Sequence, residues 1–273
     1  RVLFRSQVIG TSAVAAMTTT QVATLSTAQV AVLTTGQVSV LTANEVKALS
    51  TGQVQALSTS QVNALTNANV SALTTGQVNA LTTAQVAVLG TGQVAALTAA
   101  QVKALTTAQV AALGTDNVKA LTTTQVAGME VADVAALTST QANAMTTSQV
   151  QALTASQVKL LSTATVAGLN TAAAAALTST QVAALSTGQV SSLSSAAVAK
   201  LSTAQVAALN VLQVGALTTG AVNAMSTTQV QALSANQFKA LSTGAVAALT
   251  TAQVGALTTA QAAALSAKAV AAL

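Results

Sequence analysis

Few residues of this chain could carry chemistry, and two of them, Glu130 and Asp133, are spaced to act together. A separation of three residues places both carboxylates on one face of a helix, where they could bind a cation or exchange a proton. The two other acidic residues are Glu45 and Asp116. A divergent repeat whose carboxylates favour a helix N-terminus explains the pair more simply. We therefore predict no catalytic, cofactor-binding or metal-binding residues.

The residue types missing from the chain argue against most catalytic mechanisms. The sequence contains no Cys, His, Pro, Trp or Tyr. Without Cys there is no disulfide and no thiolate nucleophile, and without His the usual general base and metal ligand are missing. Ser and Thr are abundant, but a hydroxyl nucleophile needs a neighbouring base. The chain is therefore predicted not to be an enzyme and to need no cofactor.

The Ser and Thr residues follow a strict period, which identifies the elements that carry them. Residues 9–272 form 33 consecutive octads with the consensus L-[ST]-T-x-Q-V-x-A and no insertion or deletion. Position one is Ile, Leu or Met throughout, and position six is Val except at Ala142, Ala174, Phe238 and Ala262. These two positions are predicted to form the core of a repeat array.

Position two of the octad has the composition of a helix N-cap. It is Ser or Thr in 27 octads and Gly, Asn or Glu130 in the others. Gln or Glu stands three residues later in 23 octads, so 21 octads contain both residues of the capping box S/T-x-x-Q. The apolar residues at positions one and six flank the cap as a hydrophobic staple. Each octad is therefore predicted to contain one helix of about six residues.

A helix that begins every eight residues must also end every eight residues, so the predicted fold is all-α, a solenoid of very short capped helices. Isolated helices of this length are unstable in water, so the stability must come from stacking. Gly128 and Gly168, at position eight, are predicted to end their helices in the left-handed conformation. A superhelical turn of about 2.5 to 3 octads is predicted because Ala replaces the position-five Gln in every third octad at Ala173, Ala197, Ala221, Ala245 and Ala269.

Two other folds remain as alternatives. In one continuous helix, the Leu and Val stripe would drift by about 80° per octad, so no partner could cover it. A β-solenoid suits Thr and Val, but positions one and six have opposite parity and would point to opposite faces of a strand. The solenoid of short helices is therefore favoured.

The first six residues differ from the rest of the chain. Their sequence, RVLFRS, resembles the in-frame translation of the end of a common short-read sequencing adapter, and the octad register begins directly after it. We interpret residues 1–6 as a non-native scar of metagenomic assembly and residues 7–273 as a single repeat solenoid, a fragment of a longer array. Removing Arg1 and Arg5 lowers the formal net charge from +5 to +3, which is too weak and too dispersed to predict nucleic-acid binding.

Tandem LTTAQVAAL phrases over residues 9–273 resemble the repeat regions of very large bacterial proteins labelled hemagglutinin, adhesin or heme utilization proteins. The resemblance implies a structural or adhesive stalk or spacer of an extracellular or cell-surface protein, with the flanking domains of a longer chain as its partners. The phrase LTxxQVxA also resembles the start of the repeats in transcription-activator-like effectors. The octad lacks their Pro and their second helix, so no DNA-binding role is carried over.

Two further functions remain open. Regular Thr and Ser pairs along a stacked solenoid would form a hydroxyl ladder that could bind ice or a polymer. The variable position seven, with runs such as Asn143, Gln151 and Lys159, could form a surface that binds other proteins. No stretch of about 18 apolar residues is present, so the chain is predicted not to be transmembrane.

Overall fold

The computed structural model describes residues 9–265, and these fall into two compact units that meet in the sequence between Ala136 and Leu137. Across the described residues, every regular element is an α-helix of five or six residues. Each helix begins at position three of its octad and ends at position seven or eight, as the capping pattern predicts. Residues 1–6, interpreted above as a scar, lie outside the described residues.

The helices are numbered in chain order. The described part of the first unit contains α1 to α16, which are Thr11–Ala15, Thr19–Ala23, Thr27–Ala31, Thr35–Ser39, Ala43–Ala48, Thr51–Ala56, Thr59–Asn63, Asn67–Ala72, Thr75–Ala80, Thr83–Ala87, Thr91–Ala96, Ala99–Lys103, Thr107–Ala111, Thr115–Ala120, Thr123–Gly128 and Val131–Ala135. The described part of the second unit contains α17 to α32, which are Ser139–Ala144, Thr147–Ala152, Ala155–Leu160, Thr163–Ala167, Thr171–Ala176, Ser179–Ala184, Thr187–Ser192, Ser195–Ala199, Thr203–Ala207, Val211–Gly215, Thr219–Ala224, Thr227–Gln231, Ala235–Lys239, Thr243–Ala247, Thr251–Gly255 and Thr259–Ala264.

Each helix begins after a cap residue with an extended backbone. The Thr106 Oγ1 accepts a hydrogen bond from the Gln109 backbone N–H at 3.3 Å, and the Gln109 Oε1 accepts one from the Thr106 N–H at 2.7 Å. All 21 predicted capping boxes form in this way. Two further helices form the box with Asn in one of its two places. The capping interpretation of positions two and five is therefore confirmed.

The ends of the helices differ from the prediction made for Gly128 and Gly168. No described residue has a positive φ; Gly128 is still helical, and Gly168 is right-handed at φ −83°. The chain turns because the next position-one residue is extended, as at Leu49 with φ −62° and ψ 140°, and its N–H bonds to the Val46 carbonyl at 3.2 Å. Gly168 is instead favoured by close packing, since a Cβ there would lie 2.4 Å from the Ser139 Cβ.

Three octads make one turn of each solenoid unit. In the first unit, α1 packs against α4, α2 against α5, and so on to α13 against α16. In the second unit the same rule runs from α17 against α20 to α29 against α32. One coil therefore contains three helices, at the upper end of the predicted 2.5 to 3 octads. Residues spaced by three octads consequently lie on the same side of the coil.

The side chains at positions one and six fill the interior of the coils, as predicted. Val110 is completely buried, and Leu105 is 5% exposed. Phe238, which replaces Val at position six, is also completely buried. Where Ala142 replaces Val, the second unit contains a cavity of about 20 Å³ lined by Leu, Met, Val and Ala side chains. The interior is thus apolar, apart from the side chains at position five.

Candidate functional surface

Position five, interpreted from the sequence only as half of a capping box, is a buried link between coils. Gln109 is 2% exposed. Its Oε1 accepts from the N–H of its own cap residue, while its Nε2 donates to the carbonyl oxygens of Val78 and Leu81 at 3.1 and 2.5 Å. These carbonyls end a helix of the preceding coil, where the last acceptors lack partners within the helix. One amide therefore bonds the start of one helix and the end of another.

The same bond recurs along both units. The Nε2 of a position-five glutamine donates to the backbone carbonyl oxygen of the residue 28 positions earlier in the chain. The glutamines that do so are Gln37, Gln53, Gln61, Gln77, Gln85, Gln93, Gln101, Gln109 and Gln125 in the first unit, and Gln181, Gln189, Gln205, Gln213, Gln229, Gln237, Gln253 and Gln261 in the second. Asn69, Asn117 and Thr165 reach the corresponding carbonyl with shorter side chains. Because each acceptor is a backbone atom, the bond does not depend on the neighbour's side chain.

Threonines at position three lie on the outer surface, in columns that run from coil to coil. Thr27 is exposed, and its Cγ2 lies 3.8 Å from where a Cβ would stand at Gly52, three octads later. Thr163 lies beside Gly188 in the same way, at 3.7 Å. The cap hydroxyl at position two is also exposed, but its oxygen already accepts a backbone N–H. Position three therefore presents the hydroxyls that are not used as caps.

Several amide side chains at position seven bond across the outer surface to the next coil. Each of these side-chain amide nitrogens donates to the backbone carbonyl oxygen of the residue 25 positions later, at 2.7 to 2.9 Å. The residues are Asn63, Asn79, Asn143, Asn223 and Gln231. Asn143 also accepts from the Asn170 N–H at 2.8 Å. These residues include members of the runs that suggested a protein-binding surface. Since they bond within the array, their presence does not by itself indicate a partner.

Glu130 and Asp133 lie at the start of α16, and the structure separates their roles. Glu130 makes no side-chain bond as a cap; its Oε1 pairs instead with the Lys103 Nζ at 3.3 Å, on the surface. Asp133 stands at position five, is 3% exposed, and its Oδ2 has no hydrogen-bond partner. Burial raises the pKa of Asp133 to about 6, and the nearby Glu130 carboxylate adds to the rise. Lys103 was not anticipated, because only the coil brings it to Glu130.

The acidic side chains do not gather further. Within residues 9–265, no group of three or more His, Cys, Asp or Glu side chains is placed to hold a metal ion. In the same part of the chain, no helix has the length and apolar character needed to cross a membrane.

The octads match a known repeat profile, that of the ALTTAQ repeat. It matches ten segments that together span residues 7–267: 7–43, 44–75, 70–99, 89–123, 99–131, 126–163, 158–187, 184–219, 212–243 and 236–267. The chain belongs to the ALTTAQ repeat family. The six letters of that repeat run from position eight of one octad, through the apolar residue and the cap of the next octad, to its position-five Gln. They therefore contain both residues of the capping box and the amide that joins coils. No curated protein matches the chain significantly. The ALTTAQ octads thus form a repetitive helical scaffold.

Proposed function

We propose that this ALTTAQ array is a structural or adhesive stalk or spacer, which holds apart the flanking domains of a large bacterial surface or secreted protein. The observation that carries the proposal is the recurring bond between coils within each unit, in which a position-five amide donates to a carbonyl 28 residues upstream. Because the coils within each unit bond their neighbours through backbone acceptors, coils can be added or removed without a new interface. A spacer of adjustable length requires this property.

The composition of the outer surface supports the same role. Positions two, three, four and seven are exposed and carry mostly Thr, Ser, Ala, Gly and Asn, and only 5% of the chain is charged. A surface of this kind is compatible with an extracellular or cell-surface spacer that lacks thiols. We propose that the array is not an enzyme, needs no cofactor and binds no nucleic acid.

Length variants test the spacer. Deleting residues 41–64 removes three octads, and deleting residues 41–88 removes six. Single-molecule energy transfer between dyes at the two ends of the described part of the first unit should show an equal decrease in distance for each coil removed. The helical circular dichroism spectrum per residue should stay unchanged. A length that does not follow the number of coils would rule out a spacer.

A display experiment tests the surface role. The array is fused between an outer-membrane anchor and a peptide tag, and a flexible Gly/Ser linker of ten residues is the control. Flow cytometry of intact cells should show greater antibody access to the tag when the array is present, because a stacked solenoid holds the tag away from the membrane. Equal access with the short linker would contradict the proposal.

The exposed threonine columns favour a second candidate, the binding of ice or of an extended polymer. Thr35, Thr59, Thr83 and Thr107 succeed one another at three-octad spacing and are all exposed. A thermal-hysteresis assay distinguishes the two candidates. An ice-binding face gives hysteresis that is lost when these four residues are changed to Lys, whereas a spacer gives no hysteresis in either protein.

A further inference from the structure

Asp133 stands at position five of its octad, where the two preceding octads have a side chain that donates a hydrogen bond to the preceding coil. Gln125 donates to the carbonyl 28 residues upstream at 2.6 Å. Asn117, whose side chain has the same length as that of Asp133, donates from Nδ2 to the Leu89 carbonyl at 2.8 Å. The equivalent carbonyl for Asp133 belongs to Leu105. An ionised carboxylate has no proton to donate to it.

The Oδ2 of Asp133 is buried and has no hydrogen-bond partner, unlike the donors in the neighbouring octads. A carboxylic acid has the O–H donor that a carboxylate lacks. We propose that Asp133 is a proton-dependent link between coils: the neutral acid donates its O–H to the Leu105 carbonyl, and loss of that proton to solvent removes the bond and loosens residues 129–136.

The surroundings of Asp133 favour the neutral acid. Burial raises its pKa to about 6, and Glu130, on the same turn, adds to the rise. Lys103 pairs with Glu130 at the surface. The helix that packs against α16 within the first unit is α13, Thr107–Ala111, and it carries no ionisable side chain. A cation site is less well supported, because calcium prefers six to eight oxygen ligands.

The direction of the pH effect follows from the two states of the chain. Folded Asp133 holds its proton up to about pH 6, whereas an ordinary aspartate loses its proton at about 3.8. The stabilisation is therefore fully present below pH 3.8 and is lost as the pH rises through 6. We expect the protection of residues 129–136 against hydrogen exchange to fall roughly 100-fold between pH 4 and pH 7.5, after correction for intrinsic rates.

Hydrogen exchange of the whole chain tests the proposal. Residues 49–56, in which Gln53 donates to the Leu25 carbonyl, are the internal reference and should show no such change. Asp133→Asn supplies a permanent donor, as Asn117 does, and should keep residues 129–136 protected at both pH values. Gln53→Asp, introduced together with Asp133→Asn, should transfer the pH dependence to residues 49–56. The chain has only two aspartates, so ¹³C labelling of aspartate with an Asp116→Asn variant assigns the Asp133 carboxyl signal, which should titrate near pH 6.

Several outcomes would overturn the proposal. These are pH-independent protection of residues 129–136 in the unmodified chain, pH dependence that persists in Asp133→Asn, and an Asp133 carboxyl signal that titrates near pH 4. A cation site is tested by adding calcium chloride, sodium chloride or magnesium chloride at equal ionic strength. If calcium alone or sodium alone restored the protection of residues 129–136 at pH 7.5, Asp133 would belong to a cation site and not to a proton-dependent link.

Discussion

The two units differ most clearly in one series of position-five residues, spaced by three octads. In the first unit the series consists of Gln29, Gln53, Gln77, Gln101 and Gln125. In the second unit it consists of Gln149 followed by Ala173, Ala197, Ala221 and Ala245. Both series lie in helices of five or six residues with extended caps. The first unit thus has polar donors at position five on this side of the coil, where the second has mainly methyl groups.

The alanine series shows which bonds form a helix and which join coils. Ser194 still accepts from the Ala197 N–H, and Thr218 from the Ala221 N–H, both at 3.1 Å. These helices keep the cap bond, but Ala can neither accept from the cap N–H nor donate to the preceding coil. The cap and the staple are therefore sufficient to place a helix in the coil. The glutamine amide adds a bond between coils and is not needed for the helix itself.

Breaking the octad register should have the largest effect, and the effect should be similar in both regions. Deleting residues 105–108 in the first unit or 217–220 in the second removes a cap and a staple residue, at a cost of roughly 2 to 4 kcal/mol. Deleting residues 105–112 or 217–224 removes a complete octad and should leave the array folded. Limited proteolysis should cleave near the four-residue deletions only. Equal sensitivity of the short and long deletions would show that the octad is not the structural unit.

Exchanging glutamine and alanine tests the comparison directly. Gln77→Ala removes the donor to the Val46 and Leu49 carbonyls and should lower the free energy of unfolding by about 2 kcal/mol. Ala221→Gln places an amide opposite the Leu193 carbonyl and should raise it by up to about 1 kcal/mol. Urea denaturation measures both. A loss of stability in Ala221→Gln would instead mean that the alanine side is packed too closely to accept an amide.

Removing a cap should have the same, smaller effect in the two regions. Thr106→Ala in the glutamine region and Ser194→Ala in the alanine region each remove one acceptor of an N3 N–H and should cost about 1 kcal/mol. Thr107→Ala, at the exposed position three, is the matched control and should have little effect. A much larger cost at Ser194 than at Thr106 would show that the alanine helices depend more strongly on their caps.

Filling the cavity of the second unit should give the smallest effect. Ala142→Val restores the consensus side chain beside a cavity that Ala173 also lines, and it should raise the free energy of unfolding by up to about 1 kcal/mol. Thermal denaturation measures the change, with Ala262→Val as the control because Ala262 is exposed. Destabilisation by Ala142→Val would mean that the cavity has the wrong shape for the added methyl groups.

The arrangement of Glu130 and Asp133 was predictable from the sequence only in part. The spacing of Glu130 and Asp133 placed both residues correctly at the start of one helix, because that relation lies within an octad. Their different surroundings were not predictable, since Lys103, which pairs with Glu130, lies 27 residues upstream of it, and the burial of Asp133 depends on packing between coils. The same limit applies to position seven, where Asn79 bonds to the Ala104 carbonyl. A backbone acceptor leaves no residue type in the sequence by which it could be recognised.

The sequence by itself determined the elements of this protein: where each helix begins, how long it is, and which two side chains it buries. These properties are local, since the cap, the capping box and the staple all lie within six consecutive residues. Only the tertiary structure decided that three octads complete a coil, that an extended Leu rather than a left-handed Gly turns the chain, and that the glutamine amide is buried between coils. Each of these depends on packing between helices three octads apart, which the octad period allows at more than one coil size.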